Sequence, residues 1–322
     1  MTFRFRLLAT CLLALAASPV LPQAYPARAI RLIVPWPPTG TVDILGRTLG
    51  HKLSENLAQP VLIENRAGAN GIIGSEAAAK SPPDGYTLVV DNVTGHAINA
   101  TLQAKMPFDS LRDFAHVSLL ASVPDGVVSL PSLPAKNIQD LIALAKAQPG
   151  KLTYASFGIG SSAHLAGELF KIMAGVDLLH IPYKGGQPAI ADLLAGQVSI
   201  YIPVLPSVVQ LTRAGRLRLL AVTGARRSSA MPEVPTVAES GLPGFEASNW
   251  FGLMAPAGTP PEIVNRLHAE TAKVLQAPEV RERLAALGFE IQPGSPQELH
   301  ALLRNETEKW AKVIKASGAR AE

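Results

Sequence analysis

The sequence predicts an α/β protein, and three observations support this fold class. Short runs rich in β-branched residues alternate with stretches of helical periodicity along the chain, which is the pattern of α/β architecture. Hydrophobic residues make up 48% of the chain and charged residues 17%, which provides enough apolar material for a packed core. At roughly 150 residues per domain, the 322 residues correspond to two domains.

The predicted elements follow one another in short steps. The first helix is the clearest, because leucines recur every four residues on one face from Leu45 to Leu57. Asn137 is a suitable N-cap for a later helix, and Gly150 and Gly288 follow helical stretches as C-terminal stops. Strands are predicted at 30–36, 61–64, 87–91, 117–123, 126–130, 152–156, 178–183, 198–202, 217–223 and 250–255. Further helices are predicted at 137–148, 162–174, 187–195, 260–276, 279–287 and 296–316.

The first 24 residues have the three parts of a secretory signal peptide. Arg4 and Arg6 carry the only charges, an apolar run follows at 7–17, and small residues and prolines come next. The run is shorter than the roughly 20 residues that a membrane-spanning helix needs. We therefore expect export to the periplasm, with cleavage between residues 17 and 24.

Removal of this segment changes two counts. The single cysteine, Cys11, lies within it, so the exported chain has neither a thiol nor a disulfide. The formal net charge falls from +4 to +2, because the segment holds two arginines and no acid. Since lysines and arginines are not clustered in the remaining chain, we expect no nucleic-acid partner.

Two segments repeat the order of strand, small-residue turn and helix. In residues 30–49 the turn reads Pro-Pro-Thr-Gly, and in residues 152–174 it reads Gly-Ile-Gly-Ser-Ser. Such a turn points free backbone N–H groups and the positive end of a helix dipole at one edge of a sheet, which favours an anion. We therefore expect the two turns to close on a ligand with a carboxylate at each end.

The second turn has two other interpretations. Residues 158–163 fit the G-x-G-x-x-A pattern of dinucleotide sites, with Asp177 as the candidate acid. Asp177 precedes the next predicted strand instead of ending it, so we expect a small-ligand site here. A hydrolase with Ser161 or Ser162 as nucleophile and His164 as base is the alternative, although the sequence has no G-x-S-x-G motif.

Three further features concern the candidate site. His96 and His164 are each predicted in a loop after a strand, but no H-E-x-x-H spacing occurs, and we expect no metal site. Lys184, in a Tyr-Lys-Gly-Gly turn between a strand and a helix, either faces an anion or is a solvated lysine. The glycine-rich residues 64–74 form either a phosphate cradle or a tight connection from strand to helix.

Eight segments occur in the order typical of one known family. They are YPARAIRLIVPW (25–36), IENRAGANG (63–71), PDGYTL (83–88), LTYAS (152–156), SAHLAGELF (162–170), HIPYKG (180–185), PEVPTVAESGLPGF (232–245) and WFGLMAPAGTP (250–260). On these segments, which extend over nearly the whole chain after residue 24, the protein resembles the periplasmic solute-binding receptors of tripartite tricarboxylate transporters, called Bug receptors.

The resemblance implies a two-lobed fold of the periplasmic binding protein type II kind, with two mixed sheets flanked by helices. One lobe is expected to comprise residues 25–120 and 250–322, and the other residues 121–249, with passages between them near 117–123 and 247–255. The resemblance also implies a monomer without a cofactor. Such a receptor captures a small organic carboxylate and delivers it to the membrane subunits of a transporter; a receptor for a signalling partner is the alternative.

The ligand residues of the family map onto the two turns of this chain. From the first turn they are Trp36, Thr39, Gly40 and Asp43, and from the second they are Ser156, Gly158, Ser161, Ser162 and His164. His96, Lys184 and Pro203 complete the candidate ligand-binding set.

Three positions depart from the family pattern. Thr39 stands where the first turn usually has glycine, Val42 where it has a hydroxyl residue, and Pro203 where the second lobe has an acid. A side chain at position 39 narrows the pocket or changes the backbone. Loss of the acid removes a partner for a ligand ammonium or hydroxyl group. We therefore expect a carboxylate ligand with a less polar far end rather than an amino acid.

Overall fold

A computed structural model describes residues 25–320 of the chain. The signal peptide predicted at residues 1–24 lies outside this range. The predicted α/β architecture is confirmed, since two mixed sheets flanked by helices divide the strands between them. None of the helices within residues 25–320 combines the length and the apolar character that a membrane-crossing segment needs.

The strands of the described residues match the predicted runs closely, with one addition at the end of the chain. In chain order they are β1 (Ile30–Val34), β2 (Val61–Asn65), β3 (Thr87–Asn92), β4 (Phe114–Pro124), β5 (Gly126–Ser129), β6 (Thr153–Ser156), β7 (Leu179–Pro182), β8 (Ile200–Tyr201), β9 (Arg218–Val222), β10 (Ser248–Pro256) and β11 (Glu290–Gly294).

The strands form a six-stranded and a five-stranded sheet. The first sheet has the order β11-β4-β10-β3-β1-β2, with β1, β2 and β3 parallel and with β10 antiparallel to both of its neighbours. The second sheet has the order β7-β6-β8-β5-β9, with β6, β7 and β8 parallel and β5 antiparallel. In each sheet the parallel strands place their carboxyl ends, and the turns that follow them, at a common edge.

Helices cover the faces of the sheets. In chain order they are α1 (Thr41–Leu57), α2 (Ile72–Ala79), α3 (Asn99–Leu102), α4 (Ile138–Ala147), α5 (Ser162–Ala174), α6 (Gly186–Leu194), α7 (Val209–Arg213), α8 (Pro261–Gln276), α9 (Pro278–Ala286) and α10 (Pro296–Ser317). The leucine face of α1 is buried from Leu45 to Leu57, as its spacing predicts. Asn137 caps α4 by accepting the Asp140 N–H at 2.8 Å, as predicted.

The chain passes between the sheets twice. It leaves the first sheet at Asp125, between β4 and β5, and returns through residues 223–247, between β9 and β10. Helix α10 packs both on β4 of the first sheet and on α5 beside the second. Trp310 of α10 and Phe170 of α5 accordingly belong to one hydrophobic core. The predicted bounds of the two lobes stay a prediction.

Helices α3 and α7, each of five residues or fewer, were not predicted from the sequence, and neither were three further elements that each have a physical reason. Strand β11 is a half-buried edge strand that contains Pro293, so its apolar alternation is weak. Helix α2 buries small residues, Gly74, Ser75 and Ala78, which give no hydrophobic period. Residues Thr94–Ile98 form a π-helical turn instead of the predicted loop.

Candidate ligand-binding site

The first turn, residues 36–40, connects β1 to α1 and is exposed from residue 37 onward. Asp43, in the first turn of α1, holds it in place by accepting the Thr39 N–H at 2.9 Å. The side chains of Arg47 and Asn65 also donate to this carboxylate, at 2.9 and 2.8 Å. Burial alone would raise the pKa of Asp43, but the three donors outweigh burial and lower it. An ionised carboxylate therefore braces the first turn.

Trp36 at the start of this turn is fixed by a buried carboxyl group. Its indole Nε1 donates to Oδ1 of Asp91 at 2.6 Å, and the Ser75 hydroxyl donates to the other oxygen at 2.7 Å. Burial raises the pKa of Asp91 to about 7, against the effect of these donors. The ring also lies against Gly71, where an added Cβ would be 3.3 Å from it. Trp36 therefore has one defined orientation.

His96 lies behind this cluster and has no exposed surface. Its Nε2 is 3.4 Å from Oδ2 of Asp91, and its ring packs at 4.8 Å from the Phe114 ring and 5.6 Å from the Phe108 ring. Burial lowers the pKa of His96 to about 3, so the ring is neutral. His96 is therefore buried within a π-helical turn, instead of lying in the loop that the sequence predicts.

The second turn connects β6 to α5 and is built from neutral hydrogen bonds. Ser161 caps α5 by accepting the His164 N–H at 3.2 Å, and its hydroxyl donates to the Gly158 carbonyl at 2.6 Å. His164 Nδ1 accepts the Gly160 N–H at 3.1 Å. The Ser156 hydroxyl bonds to both backbone groups of Gly158, at 3.1 and 3.2 Å. The N–H of His164 is used by this cap, whereas the N–H groups of Ser162 and Ala163 have no intrahelical acceptor, which favours an anion at this end of α5.

Three stacked aromatic rings, those of His164, His180 and Tyr154, pack beside the second turn. The His180 ring lies 4.1 Å from the His164 ring and 4.8 Å from the Tyr154 ring, and both pairs are nearly parallel. His180 Nε2 is 2.7 Å from the Ser156 hydroxyl. Burial lowers the pKa of His164 and lowers that of His180 to about 3, so both rings are neutral. His180 was not among the candidate ligand residues, because it lies inside a strand.

The two sheets come together beside the second turn. A Cβ added at Gly160 would be 2.2 Å from Leu102 Cδ2 and 3.6 Å from Asn70 Nδ2, so this turn touches residues that follow β2 and β3. A cavity of about 490 Å³ lies here. It is lined by Ala69, Asn70 and Gln103 on one side and by Gly158, Ile159, Pro182, Tyr183 and Lys184 on the other.

Backbone strain marks one wall of this cavity. Ala69 and Asn70 have positive φ angles of 47° and 52°, in the region that non-glycine residues rarely adopt. They form a tight connection from β2 to α2, which is one of the two interpretations that residues 64–74 allow. Gln103 was not among the residues proposed from the sequence, and Asn70 was considered only as part of the glycine-rich residues 64–74, although Asn-Gly is a recognised turn signal.

The amino-acid sequence is similar to a known family model and to known proteins. A family model described as the tripartite tricarboxylate transporter family receptor matches residues 45–319. Protein BugT of Bordetella pertussis is 41% identical over 305 residues, 94% of each chain.

The chain belongs to the tripartite tricarboxylate transporter receptor family.

Two solved structures resemble this receptor over nearly its whole length. Rpa4515 of R. palustris, solved with adipate, is 39% identical and has a TM-score of 0.81, covering 92% of this chain and 99% of its own. MatC of Rhodopseudomonas palustris, solved with bound malate, is 31% identical and has a TM-score of 0.77, covering 90% of this chain and 100% of its own. A further solved structure, of the periplasmic binding protein BugD, is 32% identical and has a TM-score of 0.77, covering 92% of this chain and 100% of its own.

The departures from the receptor pattern have different structural outcomes. Thr39 adopts a φ of 69°, a conformation that glycine takes easily, so the turn keeps a glycine-like backbone at the cost of strain. Val42 is buried with the leucines of α1 and faces the core. Pro203 is buried just beyond the carboxyl end of β8, where its carbonyl accepts the Gly126 N–H at 2.8 Å. Contact of the candidate residues with a ligand stays a prediction.

The geometry does not assemble the hydrolase pair considered from the sequence. His164 uses Nδ1 to accept the Gly160 N–H, and Ser161 donates its proton to Gly158. A different pair, Ser156 and His180, is within hydrogen-bonding distance. Within residues 25–320, however, no carboxylate is hydrogen-bonded to His180 to orient it, and the lowered pKa makes its ring a weak base.

Proposed function

We propose that this receptor captures a small organic carboxylate between its two turns and delivers it to the membrane subunits of a tripartite tricarboxylate-type transporter. The observation that carries the proposal is the contact of the α5 turn with residues 70 and 102, beside a cavity that also includes Lys184. The N-terminal amides of α5 and the Lys184 ammonium favour a negatively charged group here.

The two solved neighbours support a ligand with a carboxylate at each end. Rpa4515 was solved with adipate and MatC with malate, and both molecules are dicarboxylates. In the present chain one carboxylate is assigned to the first turn, beside Trp36, and the other to the N-terminus of α5. Asp43 is assigned a bracing role, since its oxygens already accept hydrogen bonds from the Thr39 N–H of the turn and from the side chains of Arg47 and Asn65.

Under this proposal the receptor works in the periplasm. Residues 1–24 direct export to the periplasm and are removed there. The remaining chain is a monomer of two lobes, residues 25–120 with 250–322 and residues 121–249, without a cofactor. Closure of the lobes traps the ligand, and the closed form docks on the membrane subunits.

A thermal-shift screen of mono-, di- and tricarboxylates tests the proposed function. A carboxylate at 100 times its Kd stabilises the folded protein by about 2.7 kcal/mol, which is a clear rise in melting temperature. Sugars and divalent metals at equal concentration are the controls. A rise with sugars or metals and none with any acid would contradict the proposal.

Competition between ligands tests the expected specificity. Because Pro203 provides no acidic partner, we expect adipate to displace aspartate and glutamate in isothermal titration. Tighter binding of the two amino acids would overturn this specificity and leave carboxylate binding intact.

The Ser156–His180 contact supports a second candidate function, an exported esterase. Assays with p-nitrophenyl esters on wild-type protein and on His180→Ala distinguish the two. A receptor gives no turnover in either case, whereas a turnover that disappears in the variant would favour the enzyme.

A further inference from the structure

Asp125 is the single residue at which the chain passes from the first sheet to the second. Its N–H donates to the Thr223 hydroxyl at 2.8 Å and its carbonyl accepts the Thr223 N–H at 2.9 Å. It also forms a β-bridge with Val204, just beyond the carboxyl end of β8. Strand β8 lies next to β6, which leads into the second turn. Asp125 is therefore fixed at the same sheet edge as the second turn.

The side chain of Asp125 is buried without a partner. It has no exposed surface, and neither carboxyl oxygen has a hydrogen bond of ordinary geometry within residues 25–320. The same holds for the hydroxyl group of Ser162, the first residue of α5. The Ser162 hydroxyl acts to lower the pKa of Asp125, so the two groups are neighbours although no aligned bond joins them. A hydrogen bond between the Asp125 carboxyl group and the Ser162 hydroxyl would therefore give each of them a partner.

Burial determines the protonation state of Asp125. An ionised carboxylate without a cation or an aligned donor is strongly disfavoured in a protein interior. Burial accordingly raises the pKa of Asp125 to about 8. Tyr201 on β8 is neutral as well, since burial and Asp125 raise its pKa, and so is His164 in the first turn of α5, since burial lowers its pKa. The carboxyl group thus has a proton to donate.

We propose that Asp125 is a positioning residue for the ligand, and that its protonated carboxyl group donates a hydrogen bond to the Ser162 oxygen. The Ser162 hydroxyl then donates its own proton to a carboxylate bound at the N-terminus of α5. This inference rests on the proposed function and deepens it. When Asp125 is ionised, the Ser162 proton turns toward Asp125, and the serine lone pairs face the bound anion. Loss of the Asp125 proton therefore weakens carboxylate binding.

Isothermal titration with adipate between pH 7 and pH 9 tests this relay. One linked proton with a pKa near 8 makes binding by the wild-type receptor about tenfold weaker at pH 9 than at pH 7. In Asp125→Asn the amide N–H donates to Ser162 at every pH, so affinity stays within about threefold of the wild-type value at pH 7 and does not change with pH. Asp125→Ala and Ser162→Ala bind at least tenfold more weakly at pH 7 and also show no pH dependence.

Two results would overturn the role of Asp125 while leaving the receptor function intact. One is adipate binding by the wild-type protein that is constant from pH 7 to pH 9. The other is an equal decline with pH in wild-type and Asp125→Asn, which is the behaviour expected of a merely structural residue.

The stability of the ligand-free protein tests the protonation of Asp125 even if adipate does not bind. Between pH 6.5 and 8.5 the unfolding equilibrium constant of the wild-type protein should rise roughly twentyfold more than that of Asp125→Asn, because only the wild type loses the buried proton. If the two proteins change in parallel, Asp125 is not a neutral carboxyl group and the relay is wrong. Failure of the proposed function is separate, since it means that no carboxylate binds at any pH.

Discussion

The two turns present helix N-termini, but they are held in different ways. The first is exposed to solvent and is braced by ionised Asp43 with Arg47 and Asn65. The second is largely buried and is held by hydrogen bonds of serines and of the neutral His164. Water screens and solvates the charges of the first turn, whereas burial of a charge in the second would be costly. Exposure therefore decides which bonds hold each turn.

Each turn is also backed by a buried carboxyl group, and these two differ in their partners. Asp91, behind Trp36, accepts bonds from the Trp36 indole, the Ser75 hydroxyl and a backbone N–H. Asp125, beside Ser162, has no aligned donor within residues 25–320. Burial accordingly raises the pKa of Asp91 to about 7 and that of Asp125 to about 8. The carboxyl group with fewer donors keeps its proton to higher pH.

The largest effect is expected from removing the charged brace of the first turn. Asp43→Ala deprives the Thr39 N–H and the Asn65 amide of their acceptor, and it should lower the free energy of unfolding by about 3 kcal/mol. Arg47→Ala is the matched control and should cost clearly less, because that side chain is 51% exposed and its charge is screened by water. Urea denaturation measures both. Equal losses in the two variants would mean that the brace does not depend on the buried carboxylate.

A methyl group at Gly160 tests the contact between the second turn and the first sheet. Gly160→Ala combines strain at a φ of 76° with displacement of Leu102, so we expect a loss of about 2 kcal/mol. Gly175→Ala is the control, since its φ is 62° but an added Cβ meets nothing within 4 Å. It should lose only about 1 kcal/mol in the same urea titration. A Gly160→Ala protein no less stable than Gly175→Ala would show that the contact with Leu102 is loose.

Raising the pH tests the two buried carboxyl groups together. A raised pKa means that the folded protein holds a proton more tightly than the unfolded chain, so stability falls as pH rises toward the folded pKa. Burial lowers the pKa values of His96, His116 and His180, which act in the opposite direction, and their effect fades within about one pH unit above their unfolded pKa of about 6.5. Between pH 6.5 and 8 the free energy of unfolding should therefore fall by about 1 kcal/mol per pH unit.

Chemical denaturation at several pH values measures this slope. Asp91→Asn and Asp125→Asn should each remove part of it, with Asp91 contributing mainly below pH 7. A stability that stays constant or rises over this interval would contradict the assignment of buried, protonated carboxyl groups behind the turns.

The smallest change in stability is expected at Lys184. Its exposed side chain lines the cavity beside the second turn, so Lys184→Gln should weaken adipate binding about three- to tenfold and change the free energy of unfolding by less than about 0.5 kcal/mol. Lys151→Gln, at another exposed lysine, is the control for net charge. Equal affinities of the two variants would favour the interpretation of Lys184 as a solvated lysine.

Much of the framework could be predicted because its signals are local. The leucine period of α1, the Asn137 cap and the strand-to-helix order of both turns each depend on residues within a few positions of one another. Strand β11 was not predicted because it is an edge strand that contains a proline, and helix α2 was not predicted because its buried face consists of small residues. Neither element has a hydrophobic period. The π-helical turn at Thr94–Ile98 also has no such signal, so His96 was expected in a loop.

The sequence by itself determined the two anion-favouring turns and the family to which the chain belongs. Only the tertiary structure decided what lies behind the turns, because those contacts join residues that are distant along the chain. Trp36 meets Asp91 across 55 positions, and Asp125 comes beside Ser162 only when β5, β6 and β8 form one sheet. Whether a carboxyl group carries a charge depends on the water and the donors around it, and folding determines both.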